Sequence, residues 1–185
     1  YLAPHSRFDR SYINGEWHTH LILLCENMTG YKNLIHMVSA AFSEGFYMKP
    51  RIDMELLRGH SEGLICMSAC LAGAIPRAIA NGNMDKAYEI CEEFLEIFDR
   101  EHFYLEIQDH GIEEQKKVNE GLYQLAKELN LELVATNDAH YLTRADARTQ
   151  DILMAIQMGK TVDDPTRMKF ETQEFYIKDA DEMAA

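Results

Sequence analysis

Four apolar runs of strand length, each followed by residues at helical spacing, constrain this chain more than any other feature of its sequence. Residues 17–25 alternate, with His18, His20, Ile22 and Leu24 on one face and Thr19, Leu21, Leu23 and Cys25 on the other. Mostly apolar faces on both sides predict a central, buried strand. Further strands are predicted at 64–68, 102–108 and 131–136. After Gly30, Tyr31, Leu34, Ile35, Val38, Ala41 and Phe42 recur at helical spacing, with Gly45 at the stop. A short helix is predicted around Met54 to Leu57, and two more follow Gly73, the second presenting Ala87, Ile90, Cys91, Phe94, Leu95 and Phe98 on one side. Residues 113–129 form a helix with Val118, Leu122, Leu125, Ala126 and Leu129 inward. Thr143-x-x-Asp146 resembles a capping box for a last helix reaching Ile156, and Phe175-Tyr176-Ile177 fits a short closing strand. The opening 16 residues, with Pro4 and the Asn14-Gly15 pair, predict a surface loop. Strands alternating with helices predict an α/β fold with a mostly parallel sheet, whose functional residues gather at the carboxyl ends of the strands.

Length and charge narrow the function. At 185 residues the chain fits one domain, and a net charge of −13 excludes nucleic-acid binding through its overall field. No apolar run approaches the roughly 20 residues of a membrane span, so no membrane partner is expected. The chain opens on Tyr1 with no basic-then-apolar leader and reads as a piece of something longer. Cys25, Cys66, Cys70 and Cys91 show no Cys-x-x-Cys spacing and fit reduced thiols in a cytoplasm, with Cys25, Cys66 and Cys91 placed on apolar faces as core.

The residues just after each strand carry the chemistry. Asp138 and His140 follow an apolar run and, two apart at a strand end, point to one side, where a carboxylate and an imidazole suit zinc, manganese or iron. The pair reads equally as a capping Asp beside a surface His. Cys70 follows a buried strand and is either a metal-binding thiolate or a core cysteine. His20 sits in an apolar strand, where a histidine is more often hydrogen-bonded in a core than a ligand. Asp109-His110 reads as loop capping or solvation rather than catalysis. Neither a nucleophile elbow nor a Gly-rich phosphate loop is present in the sequence.

Several segments taken in order resemble the PHP domains at the amino-terminal end of bacterial replicative DNA polymerases. They are 6–10 (Ser-Arg-Phe-Asp-Arg), 20–24, 29–34 (Thr-Gly-Tyr-Lys-Asn-Leu), 44–53, 62–65, 68–73 (Ser-Ala-Cys-Leu-Ala-Gly), 108–111, 114–119, 135–141, 163–165 and 175–176. The resemblance implies a partial, distorted β/α barrel of the TIM-like PHP type, with residues 1–185 forming the carboxyl-terminal portion of the domain and ending near the linker to the polymerase palm. It implies that His20, Cys70, Asp138 and His140 are metal ligands, with zinc or manganese as the divalent ions of the intact domain.

The parent would be a cytoplasmic, DNA-directed DNA polymerase. Its partners would be the rest of its own chain, other replisome subunits, and DNA. In active relatives the metals would serve a 3′–5′ exonuclease or phosphoesterase activity; in others the domain is a non-catalytic brace. A free-standing PHP phosphatase is a further alternative, against which the 45–51 segment and the tail from Asp163 count. The family's His-x-His motif, a later His and a Glu have no counterpart here, and neither do the palm aspartates. The piece alone is therefore expected to bind metal weakly or not at all, to synthesise no DNA, and to expose a barrel edge suited to self-association.

Overall fold

The computed structural model describes residues 1–11 and 17–184. The Asn14-Gly15 turn of the sequence reading lies outside them. Four strands form one sheet in the order β1 (Ile22–Cys25), β2 (Leu64–Met67), β3 (Phe103–Ile107) and β4 (Glu132–Ala135). β2, β3 and β4 run parallel, whereas β1 pairs antiparallel with β2, matching Ile22 to Met67 and Cys25 to Leu64. The sheet does not close, consistent with part of a β/α barrel.

The two faces of the sheet differ. Leu23, Cys66, Phe103, Leu105 and Leu133 share the face that packs into the core, where Phe94 and Leu122 join them from the helices. Ile22, Leu24, Met67, Tyr104 and Val134 lie on the opposite face, and there Ile22 and Leu24 stay exposed. The expectation of a central, buried first strand is therefore corrected. β1 is an edge strand of four residues whose second face is left exposed at Ile22 and Leu24, and Cys25, assigned to the core, is exposed.

The helices follow their caps and periodicity. α1 (Met28–Ser43) starts where the Asn27 side chain accepts from the Thr29 and Gly30 amides. It buries Met37, Ala40 and Ala41 and leaves Tyr31, Ile35, Val38 and Phe42 exposed. Gly30 is required by close approach, since a Cβ there would stand 1.8 Å from the Gly63 carbonyl oxygen. α2 (Met54–Gly59) is capped by Asp53; α3 (Ala74–Ala80) and α4 (Met84–Leu95) pack on each other. In α4, Ala87, Cys91 and Phe94 are buried, and Phe94 stacks on Phe103 at 5.2 Å. α5 (Glu113–Leu129) turns Val118, Leu122, Leu125 and Ala126 inward, as the sequence predicts.

Thr143 and Asp146 form the expected capping box, which opens on one 3₁₀ turn before α6 (Ala147–Gln157). Residues 175–177 make only an isolated bridge, Tyr141 to Tyr176, instead of a strand, and a short α7 (Ala180–Ala184) follows.

The amino-terminal segment is not a free surface loop. Leu2 is buried and bridges to both Thr19 and Ile52. Arg51, 1% exposed, holds the segment down. Its Nε donates to the Gly45 carbonyl (3.2 Å), Nη1 to Trp17 (3.2 Å), and Nη2 to Arg7 (3.1 Å) and Asp9 (2.7 Å). Asp53, also buried, accepts from the Arg7 amide, the Arg7 guanidinium and the Leu56 amide. These bonds fix the chain leading to His18 and His20.

Candidate metal centre

The antiparallel sense of β1 explains how His20 reaches the carboxyl ends of the other strands. Because β1 runs opposite to β2, a residue before β1 stands level with residues after β2, and the His20 amide accordingly donates to the Ala72 carbonyl at 2.9 Å. The His20 Nδ1 and Cys70 Sγ atoms are 3.5 Å apart, in hydrogen-bond contact for sulfur. His20 is thus neither deep inside a strand nor in the core; it lies at the mouth.

Asp138 and His140 form the second pair, with His140 Nε2 at 3.6 Å from Asp138 Oδ1. The turn that carries them is braced from the tail. Asn137 Nδ2 donates to the Glu174 and Tyr176 carbonyls, while the Phe175 carbonyl accepts from the amides of His140 (2.8 Å) and Tyr141 (3.2 Å). Phe170 lies against the His140 ring at 4.8 Å.

Backbone strain marks both loops. Ala69, immediately before Cys70, has φ +65°, and Asp138 has φ +43°. Side chains other than glycine pay about 1–2 kcal/mol in this left-handed region, and such residues cluster where a site dictates the backbone.

Electrostatics ties the two pairs together. Burial, then the charge of Arg77, lowers the His20 pKa, while Asp138 pushes it up and Lys49 down. Burial also lowers His18, helped by His20 and Arg77. Both imidazoles therefore stay neutral near pH 7, with a lone pair free to bind a cation. The Cys70 thiol is raised, first by burial and further by the charges of Asp138 and Glu106. Asp138 is thus felt at both members of the first pair.

The donors suit a divalent ion in kind, since imidazole, thiolate and carboxylate together are the ligands of zinc and of related transition metals. Two buried atoms beside them, His18 Nδ1 and Glu106 Oε2, have no hydrogen-bond partner among the described residues. Closure is incomplete, because no three His, Cys, Asp or Glu side chains among the described residues gather around one point. The structure thus brings the four sequence-predicted residues to one end of the sheet as two pairs, and the sequence reading, which sets His18 on the face of His20, misses Arg77 and Glu106 beside them. A helix-borne Arg and a strand-borne Glu carry no local signal of that placement.

The α/β fold with its mostly parallel sheet agrees with the comparisons. The family model for the PHP domain matches residues 4–110, and the chain belongs to the PHP family. Over its full length it is 47% identical to the DNA polymerase III subunit alpha of Treponema pallidum and 48% identical to that of Thermus aquaticus, of which it covers 16% and 15%. The subunit alpha of Borreliella burgdorferi is 46% identical over 99% of the chain, again covering 16% of the relative. The chain therefore spans about one sixth of the length of these relatives. No helix among the described residues is long and apolar enough to cross a membrane.

Proposed function

We propose that this chain is the carboxyl-terminal portion of the PHP domain of a bacterial replicative DNA polymerase, cytoplasmic, and running to the neighbourhood of the palm linker. His20, Cys70, Asp138 and His140 are its share of a divalent-metal centre. The observation that carries this reading is the meeting of His20 and Cys70 across the β1–β2 turnabout, at the sheet end that also holds Asp138 and His140. Identity near 47% to polymerase subunits about six times longer supports the parentage. The rest of that polypeptide, DNA and further replisome subunits are then its partners.

A bound zinc or manganese ion would polarise a phosphoester and lower the pKa of water. The chain's own residues have simpler tasks. His20 and His140 offer nitrogen, Asp138 offers charge, and Cys70 gives up its proton only when a cation compensates its buried thiolate. Arg77, near His18 and His20, supplies positive charge suited to a phosphodiester.

Two donors per pair fall short of the four that zinc takes, so other parts of a longer polypeptide complete the centre. The same shortfall supports a second reading, a non-catalytic module that braces the polymerase. Metal content and 3′–5′ exonuclease activity of the full polypeptide separate them. The catalytic reading expects bound metal and at least a hundredfold loss of nuclease activity in Asp138→Ala. A metal-free protein, or a nuclease indifferent to Asp138→Ala, leaves the brace. The 185-residue chain alone should hold little metal and show no nuclease activity, and a fully loaded site in it would overturn the shared-centre reading.

A further inference from the structure

His110 stands outside the four candidate ligands, and the structure does not bear out its reading as a solvated loop residue. It is 0% exposed. Its Nε2 lies 2.6 Å from the Asn137 carbonyl, which can only accept, so Nε2 carries the proton. The Gln115 Oε1 atom accepts from the His110 amide at 2.9 Å, which turns the Gln115 Nε2 donor onto His110 Nδ1 at 2.6 Å. The two contacts agree on one neutral tautomer and lock the ring. Its face stacks on Phe175 with centroids 4.0 Å apart and planes 14° apart.

These contacts grip the Asp138–His140 turn from both sides. The carbonyl that His110 binds belongs to the residue before Asp138. The ring it stacks on belongs to the residue whose carbonyl holds the His140 and Tyr141 amides. Asp138 has φ +43°, so the turn needs such outside constraint to persist.

We infer that His110 is a positioning residue that sets the Asp138–His140 turn for cation binding chiefly through its hydrogen bond to Asn137, the stack on Phe175 serving mainly to orient the ring. The inference deepens the proposed metal centre and rests on it for the identity of the ligand, but its structural part is tested without metal. His110→Phe keeps an aromatic ring and loses the donor. His110→Gln keeps an N–H near the Nε2 position and loses the stack's geometry.

Hydrogen exchange of the His140 and Tyr141 amides, followed by mass spectrometry on the full polypeptide, reads the turn directly. His110→Phe should speed their exchange about tenfold or more relative to the β3 and β4 amides, with His110→Gln within about threefold of wild type. Zn²⁺ and Mn²⁺ affinity should fall about 10–100-fold in His110→Phe, the usual effect of losing a residue that orients ligands, and recover largely in His110→Gln. If His110→Phe fails to fold, Gln115→Leu frees the ring and should speed the same two amides by a smaller factor. Unchanged exchange at His140 and Tyr141, or acceleration spread equally over β2, β3 and β4, overturns the positioning role. A wild-type protein that binds neither ion sinks the metal reading, while the exchange data still decide His110.

Discussion

Replacing Arg51 with Met tests how the amino-terminal segment is held. The guanidinium is buried and donates to four carbonyls, those of Gly45, Trp17, Arg7 and Asp9. A hydrogen bond to a charged group contributes about 1.5–3 kcal/mol when its loss leaves a buried partner unpaired. Four such bonds would sum to roughly 6–12 kcal/mol, but removing the charge also recovers the several kcal/mol spent on desolvating it. The net cost is about 3–5 kcal/mol, a large share of the roughly 5–15 kcal/mol by which domains are stable. Urea denaturation of wild type and Arg51→Met measures it. Arg51→Lys, a point charge with three donors, should recover part of the loss. A cost below about 1 kcal/mol for Arg51→Met would show that water replaces the guanidinium freely, and would remove the account of how Trp17 to His20 are fixed.

Asp53 predicts a pH dependence. Burial pushes its carboxyl up, but the Arg7 and Leu56 amides and the Arg7 guanidinium together hold it below the usual carboxylate value. A folded-state pKa below the unfolded one contributes stability above about pH 4 that is lost as pH falls through the folded value. The gap in melting temperature between wild type and Asp53→Asn should therefore be constant above pH 5 and shrink below pH 4. Thiol labelling gives a separate check. Exposed Cys25 should react first and half-buried Cys70 slowly; Cys91, pushed up to about 12 by burial, and Cys66, raised further, should react only in denaturant.

The helices were the most legible part of the chain. In α4 and α5 the positions of Phe94, Leu122 and Leu125 at helical spacing predict both the element and its inward face, because one apolar stripe meets one core. α1 is harder, since Met37 and Ala41 face the core while Tyr31, Val38 and Phe42 on other sides are equally apolar. The direction of β1 is not written locally. Alternation says which residues share a face, and says nothing about whether the neighbour runs with or against the strand. That one sense decides whether His20 sits at the mouth with Cys70 or at the far end of the sheet. His110 is hidden for another reason, because Asp109 and Gly111 give it the neighbourhood of a turn while Phe175, 65 positions away, supplies its cover. Leu2 is concealed similarly by the polar residues after it.

The reversal at β1 also links binding to local unfolding. β1 is the strand with the least cover, so its backbone bonds to β2 open at lower free energy than those of the inner strands. His20 and Cys70 sit on either side of that seam, 50 residues apart in the chain. Any ligand that grips both clips the most weakly held strand to its neighbour, and a ligand at a hundred times its Kd would add about 2.7 kcal/mol to the cost of peeling it away.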